Sequence, residues 1–298
     1  MRNPVPNNST PSSSTNEMIP LATTTLPRLD YSLRDRRVRI GIFWMLVFFD
    51  SVALPVLLYF ILWYGTDLEH NIVFGIITAV FGGTAILEYF QRFWRLCKKN
   101  STCRAIGARR FSCDWFQWNM TVAFVIIIVE LVIGTLPKEP MVRVLAMPLP
   151  SLLAFFGLEL SLLELMYVFH LHAPFRISSV ARGENLRPAI YPLIEDIIAV
   201  DGDGGTAYRM RLNQRYEASP YFRLMLHRLS MFWALPALLM AVGTTYMIFS
   251  VRRDTAYVLG WFVPFIWSGI WSIVTTKWVQ RDLEVEQMLW DGQVPARS

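Results

Sequence analysis

The chain has 298 residues, of which 54% are hydrophobic and only 17% are charged. A soluble domain of this size has about a quarter of its residues charged to keep its surface hydrated, so a water-exposed globular fold is excluded. The net charge of +5 does not indicate nucleic-acid binding, because the arginines flank apolar segments, where the positive-inside rule already accounts for them. The composition therefore predicts a multi-pass membrane protein in contact with the lipid bilayer.

The first 27 residues are rich in Ser, Thr, Asn and Pro and show no apolar periodicity. Such a segment cannot bury enough apolar surface to offset the entropy lost on ordering. We therefore predict that residues 1–38 form a disordered cytosolic tail ending in a basic collar. No apolar segment follows Arg2 within this tail, so no cleavable signal peptide is expected.

Six apolar segments follow the tail, and each is long enough as a helix to cross about 30 Å of hydrocarbon. They lie at approximately 40–64, 72–89, 116–136, 145–169, 229–251 and 256–276. The predicted fold class is an all-α membrane protein with six transmembrane helices. Its organisation is spans one to four within 39–172, a structured cytosolic loop at 173–228, spans five and six within 229–277, and a helical cytosolic tail at 278–298.

The lysines and arginines are distributed unequally along the chain. The N-terminal tail, the second and fourth loops and the C-terminal tail hold 24 of the 28 Lys and Arg residues. Because basic residues accumulate on the cytosolic side, this bias predicts six spans with both termini in the cytosol.

The loop at 173–228 has an ordered pattern of its own. A helix is expected to begin near Pro188, and a glycine-rich turn at 201–205 should end it. Residues 208–213 alternate in polarity, which predicts a short extended segment. Ser219 and Pro220 are typical of an N-cap followed by the first helical residue, and should open the helix of span five. We expect this arginine-rich loop to lie against the inner leaflet and to contact anionic lipids.

The turn at 201–205 (DGDGG) resembles the start of a calcium-binding loop. Such a loop needs glycine at its sixth position and glutamate at its twelfth, where this chain has Thr206 and Leu212. A plain glycine turn is therefore predicted. Four histidines are too few for a membrane di-iron enzyme, and the C-x5-C-x9-C spacing matches no zinc site. We expect no metal and no cofactor, and we expect free thiols, with Cys97 as a candidate for palmitoylation.

Four acidic residues within the predicted spans are the candidate site residues: Asp50, Glu130, Glu159 and Glu164. An unpaired carboxylate in hydrocarbon costs several kcal/mol, so each must be protonated, hydrogen-bonded or bound to a cation. Pro55 follows Asp50 closely and should kink span one. Two explanations stay open: the acids hold helices together, or they form a functional site. We expect Asp50 and Glu159 to face the bundle interior and to contribute to one polar site.

Four strings carry a resemblance to known sequences: YSLRDRRVRIGIFW (31–44), EYFQRFWRLCKK (88–99), RPAIYPLIEDIIAVDGDGG (187–205) and LNQRYEASPYFR (212–223). With these strings the chain resembles a family of uncharacterised multi-pass membrane proteins of filamentous fungi. The resemblance implies a fungal origin. It implies no catalytic motif and no assigned activity.

Three functions remain under consideration. The leading interpretation is a non-enzymatic accessory, sensor or scaffold protein that acts through its cytosolic loop. The second is a transporter or channel for an ion or small solute that uses the buried carboxylates. The third is a membrane-embedded enzyme acting on a lipid or isoprenoid, with a carboxylate as general acid in the manner of fungal membrane terpene cyclases.

Overall fold

The computed structural model describes residues 26–29, 37–80 and 83–292. Within these residues all regular structure is helical, and the helices are listed in chain order. They are α1 (Arg37–Phe48), α2 (Leu54–Gly65), α3 (His70–Val80), α4 (Gly83–Cys97), α5 (Trp115–Thr135), α6 (Val142–Leu145), α7 (Pro148–Val168), α8 (Ile190–Asp196), α9 (Gly205–Ala218), α10 (Pro220–Ser250) and α11 (Arg253–Trp290). Two π-helical segments lie at Phe49–Ala53 and Ile197–Asp201.

In the described part of the chain six segments are long and apolar enough to cross a membrane, which confirms the number predicted from the sequence. They are Trp44–Gly65, His70–Cys97, Trp115–Thr135, Pro148–Val168, Pro220–Ser250 and Arg253–Trp290. We number them spans one to six. Many of their apolar side chains face outward, as expected for helices whose surroundings are lipid.

Span one is interrupted by the first π segment, which contains Asp50 and joins α1 directly to α2. The wider π turn lies immediately before Pro55. A proline ring clashes with the carbonyl four residues earlier, and an extra residue in the turn relieves that clash. The irregularity predicted at Pro55 is therefore a π turn.

Two glycines allow close packing, one between spans four and five and one between span six and the segment just before span four. A Cβ atom on Gly157 of α7 would lie 2.9 Å from Cγ of Leu238 in α10. A Cβ atom on Gly260 of α11 would lie 2.1 Å from the carbonyl oxygen of Ala146. Small residues allow helix backbones in a membrane to approach each other, which is what these two contacts require.

Residues 98–114 and 169–219 lie together at one end of the bundle, and we call them the polar layer. The helix α10 begins there: Ser219 Oγ accepts a hydrogen bond from Phe222 N at 3.1 Å, and Pro220 is the first helical residue, which confirms the predicted cap. Both α10 and α11 continue without a break past residues 228 and 277, where the sequence placed membrane boundaries. With 38 residues, α11 is about 57 Å long and exceeds the hydrocarbon thickness.

The extended segment predicted for residues 208–213 is wrong, because these residues lie within α9. On this helix Tyr208, Leu212 and Tyr216 are buried at intervals of one helical turn. Arg209 and Arg215 are buried as well. Because arginine counts as polar in a hydropathy pattern, two buried arginines hid the helical period of the buried face.

Part of the predicted N-terminal tail is ordered. Leu26 is only 5% exposed, and the carbonyl of Pro27 accepts a hydrogen bond from Arg215 of α9 at 3.2 Å. The rest of the predicted tail, up to residue 25 and at 30–36, lies outside the described residues, as do residues 293–298. Residues 26–29 and the end of α11 thus meet the same polar layer, because Arg215 also binds Glu286.

Candidate functional site

The centre of the polar layer is Arg209 of α9, whose side chain is completely buried. Its guanidinium donates to the Cys103 carbonyl at 3.0 and 3.2 Å. It also donates to Glu195 at 2.9 Å, to Asp196 at 2.5 Å and to Asp114 at 3.3 Å. One side chain therefore joins the loop after span two, the start of span three and helix α8.

A second buried guanidinium, that of Arg92 in α4, extends this cluster. It donates to the Asp114 carboxylate at 2.7 Å and to the carbonyl of Asp196 at 3.3 Å. Its other terminal nitrogen binds the Asp201 carboxylate. We call Arg92, Asp114, Glu195, Asp196 and Arg209 the charge core. It links the end of span two to the polar layer.

The glycine-rich turn predicted at 201–205 docks beside the charge core. Arg95, one turn after Arg92, binds the Asp203 carboxylate and donates to the carbonyl of Val200 at 2.5 Å. Gly205 has a φ of +61°, and a Cβ atom there would lie 2.9 Å from the carbonyl oxygen of Thr102. Glycine is needed at this position both for the backbone conformation and for the close approach.

The N-terminus of α5 receives two carboxylates of the charge core. Asp114 accepts from Gln117 N at 2.9 Å, and Asp196 accepts from Phe116 N at 3.1 Å. Ser178 also donates its hydroxyl to Asp196. The first N–H groups of a helix lack partners within the helix and carry partial positive charge, so they stabilise buried carboxylates. These bonds attach span three to α8.

The charge core contains three fully buried carboxylates and two guanidinium groups. Burial and the neighbouring Asp114 carboxylate together raise the pKa of Asp196 to about 7, against the opposing effect of Arg209. Burial lowers the pKa of Arg209, but the surrounding carboxylates outweigh it and raise that pKa overall, so Arg209 stays charged. The charge core has one carboxylate more than it has guanidinium groups. Below about pH 7 a proton on Asp196 neutralises this excess negative charge.

Of the four acids predicted from the sequence, Glu164 lies closest to the polar layer. Its carboxylate is 1% exposed and accepts from Ala189 N at 2.8 Å and from Nδ1 of His227 at 2.5 Å. It thus joins span four to both the polar layer and span five. Ile190 N also donates to Ser230 Oγ of span five at 3.1 Å.

The other three acids occupy separate places. Glu159 accepts from Trp115 Nε1 at 2.5 Å, and Glu130 accepts from the hydroxyl of Ser151, so both lie between spans three and four but at different levels. Asp50 lies in span one, which packs mainly against α3 and α11. The structure brings Glu130 and Glu159 to one helix pair and places Asp50 on another part of the bundle.

The charge core does not follow from the sequence patterns described above. In the sequence, its arginines were interpreted only as basic residues that set the orientation of the chain in the membrane. One signal was available: Glu195 and Asp196 stand within an otherwise apolar stretch at 193–200. Two adjacent acids flanked by apolar residues on both sides indicate burial, and buried carboxylates require partners.

A third buried contact involves Arg215 of α9 and Glu286 of α11. Arg215 donates to the Glu286 carboxylate at 2.6 and 3.2 Å. With this contact, spans two to six are each attached to the polar layer by polar side chains. The attachments are Arg92 in span two, Trp115 and Phe116 at the start of span three, Glu164 in span four, Ser230 in span five and Glu286 in span six.

In the part of the chain that the structure describes, no three His, Cys, Asp or Glu side chains are grouped to hold a metal ion. Six apolar helices among the described residues, five of them attached to one charged layer, define the class as a multi-pass, all-helical membrane protein. The chain belongs to the family described as Domain of unknown function (DUF8766), whose model matches residues 12–290. No curated protein and no solved structure matches it.

Proposed function

We propose that this protein is a non-enzymatic membrane scaffold that presents the polar layer as a rigid platform. The observation that carries the proposal is the attachment of spans two to six to one layer through buried polar side chains. A transporter that uses alternating access needs groups of helices that move relative to each other. Separating the partners of a buried ion pair costs about 3–5 kcal/mol, so the layer favours a static bundle.

The platform is proposed to face the cytosol, with both termini on that side. The distribution of lysine and arginine supports this orientation, and the two arginine-rich loops form the polar layer itself. At the inner leaflet their exposed arginines would contact anionic lipids. The fungal origin implied by the resemblance is part of the same proposal.

Cysteine labelling tests the orientation. Glu139 lies at the end of the bundle opposite the polar layer and Arg182 lies within the layer, and both are exposed. An impermeant maleimide should label Glu139→Cys in intact cells, whereas Arg182→Cys should react only after permeabilisation. Labelling in the opposite order would overturn the proposed orientation.

The outer face of α9 is the platform surface that we expect to matter for function. Ala207, Met210, Gln214 and Glu217 are exposed at helical intervals on this face. Met210 is 48% exposed, and methionine is a side chain that adapts to varied partner surfaces. The opposite face of the same helix is held by Arg209, which keeps the exposed face in a fixed position.

Rescue of a deletion phenotype distinguishes the scaffold from the other functions. One set of variants changes the platform, with Met210→Glu and Gln214→Lys. The matched set changes the acids within the spans and keeps their shape, with Asp50→Asn, Glu130→Gln and Glu159→Gln. A scaffold predicts that the platform variants fold but fail to rescue, while the acid variants rescue fully. The reverse pattern would exclude the scaffold.

Ion or small-solute transport is the second candidate, and one observation favours it. One buried carboxylate oxygen between spans three and four, Glu130 Oε2, has no hydrogen-bond partner among the described residues, whereas the Glu159 carboxylate interacts with the side chain of Asn119. Such an atom within a membrane calls for water or an ion. However, buried Ala123 and Ile127 separate Asn119 from Glu130 along α5. Proton or cation flux in proteoliposomes that Glu159→Gln abolishes would establish transport over the scaffold.

A further inference from the structure

The end of α7 and the beginning of α10 meet where both helices pass from the apolar spans to the polar layer. Tyr167 is in the last turn of α7, and His227 lies just before the apolar part of α10. In a bilayer this level corresponds to the lipid headgroups. Arg223 and His227 carry polar groups there that have no hydrogen-bond partner among the described residues, and Tyr167 carries a hydroxyl that is hydrogen-bonded to Tyr216.

His227 is held in one orientation by Glu164. Its Nδ1 lies 2.5 Å from Glu164, whose other oxygen accepts from Ala189 N at 2.8 Å. The histidine side chain is 33% exposed, whereas the carboxylate is buried. A bond to one ring nitrogen fixes the orientation of the ring and makes the other nitrogen available to a ligand. Nε2 of His227 has no hydrogen-bond partner among the described residues.

Arg223 lies one turn before His227 on the same face of α10. Its guanidinium lies 5.9 Å from the ring centroid of Tyr216 and is only half-exposed. Within the described residues it forms no side-chain hydrogen bond and no ion pair, in contrast to Arg209 and Arg215, which bind carboxylates. A half-buried guanidinium without an anion is an unfavourable arrangement that an external anion would relieve.

Tyr167 completes the cluster from the neighbouring helix. Its ring centroid lies 6.0 Å from that of His227, and its hydroxyl accepts a hydrogen bond from that of Tyr216, which leaves its own proton to donate. A hydroxyl, a guanidinium and an imidazole N–H are all donors to anionic oxygens. Donors from two helices therefore lie near one another at headgroup level, since Tyr167 contacts His227 and both Tyr167 and Arg223 contact Tyr216.

We propose that Arg223, His227 and Tyr167 bind the phosphate group of a membrane phospholipid. A guanidinium matches two phosphate oxygens at once, and His227, oriented by Glu164, donates from Nε2 when protonated. The phospholipid is the source because the donors lie where lipid headgroups lie. The site does not depend on the scaffold function, and it requires only that spans four and five cross a bilayer.

Equilibrium binding to the purified, delipidated protein in detergent tests the site. The probes are fluorescent phosphatidic acid, the matching diacylglycerol without phosphate, and inorganic phosphate as a competitor. The expected result is saturable binding of phosphatidic acid, no saturable binding of diacylglycerol and only weak competition by inorganic phosphate. Inorganic phosphate that binds as tightly as the lipid would overturn the lipid assignment.

Substitutions test which side chains bind the lipid phosphate. Arg223→Gln should weaken binding of phosphatidic acid about tenfold or more, because a charge-assisted hydrogen bond is lost, and Tyr167→Phe should weaken it severalfold. The matched control is Arg228→Gln, which removes the same charge at the same level. Arg228 is exposed and its charge acts on Asp282, so binding should stay within about twofold of the original.

His227→Gln should also weaken binding about tenfold. If that variant fails to fold because its contact with Glu164 changes, Arg223→Gln and Tyr167→Phe still test the site, since neither residue bonds to Glu164. Unchanged binding in Arg223→Gln, or an equal loss in Arg228→Gln, would overturn the proposal. Normal lipid binding by platform variants that fail to rescue would show that this site and the scaffold function are separate.

Discussion

Glu286, near the end of α11, accepts a hydrogen bond from Arg215 of α9 at 2.6 Å, and the two side chains are 2% and 9% exposed. The residues are 71 positions apart in the chain. Through this ion pair the last helix is joined to the polar layer that also holds spans two to five. Most of that layer lies between spans four and five in the sequence. The ion pair holds the end of α11 against it.

Substitution of Glu286 by Gln should lower the free energy of unfolding by about 3 kcal/mol, because it leaves the Arg215 guanidinium buried with only the Pro27 carbonyl and a neutral amide. The measurement is unfolding of the purified protein in detergent, followed by tryptophan fluorescence. Glu284→Gln provides the control, since Glu284 is exposed on the same helix, and its effect should stay within about 0.5 kcal/mol. Equal effects of the two substitutions would contradict a role for the ion pair.

The raised pKa of Asp196 predicts a pH dependence of stability. The pKa is about 7 in the folded protein, against about 3.9 for an aspartate in an unfolded chain. Between these values the folded protein holds a proton that the unfolded chain releases. The stability contributed by this group is therefore greatest at low pH. It falls by up to about 1.4 kcal/mol per pH unit as pH rises toward 7, and is constant above that.

Asp196→Asn removes this titration and keeps the shape of the side chain. We expect the unfolding free energy of the original protein, relative to that of Asp196→Asn, to decrease between about pH 5 and 7 and to stay level from about pH 7.5 to 9. Denaturant titrations of both proteins at each pH measure the difference. A difference that is the same at pH 5 and pH 7 would show that Asp196 is ionised throughout this range.

The contact between Gly260 and Ala146 predicts a strong effect of one methyl group. A Cβ atom at residue 260 would lie 2.1 Å from a backbone oxygen, and backbone cannot move aside as a side chain can. Gly260→Ala should cost more than about 3 kcal/mol, or prevent accumulation of the folded protein. Gly269→Ala on the same helix meets no atom within 4 Å and should be neutral or slightly stabilising. Equal yields and unfolding midpoints for the two variants would be inconsistent with this packing.

Pro236 leaves one backbone carbonyl of α10 without its helical hydrogen-bond donor, and Trp271 of α11 supplies a donor in its place. Proline has no N–H, so the carbonyl of Phe232 lacks its helical donor. Trp271 Nε1 donates to that carbonyl at 2.9 Å. Trp271→Phe should therefore lower the free energy of unfolding by about 1–3 kcal/mol more than Trp267→Phe. Trp267 stacks on the same ring cluster without donating a hydrogen bond to a described residue, so the difference isolates this bond. Similar losses for both variants would assign the effect to ring packing alone.

Several features of the fold were predictable from the sequence because they depend on neighbouring residues. The cap at Ser219 and the end of the α8 segment at the turn 201–205 appear in the structure as predicted, and the tail after residue 277 is helical as far as Trp290. Capping oxygens, glycine conformations and apolar length act over a few residues. The helix α9 was predicted incorrectly because Arg209 and Arg215 are buried, and their burial depends on carboxylates far away in the chain.

For the candidate acids too, the sequence shows which residues are unusual, and only the structure shows what they contact. The sequence shows that Glu164 is an acid within an apolar span, where an unpaired carboxylate costs free energy. Its partners, Ala189 N and His227, come from two other segments. Neither partner follows from a local pattern, since backbone N–H groups occur along the whole chain and no neighbouring residue distinguishes His227 from the other three histidines.

The sequence by itself determined that the chain contains six apolar segments and that its basic residues collect at one end of them, because both properties are sums over local composition. Only the tertiary structure decided which charges share a buried site, as Arg209 does with Asp114, Glu195 and Asp196. The physical reason is that a buried charge is stable only with partners at hydrogen-bonding distance. Packing of the spans brings those partners together from distant parts of the chain.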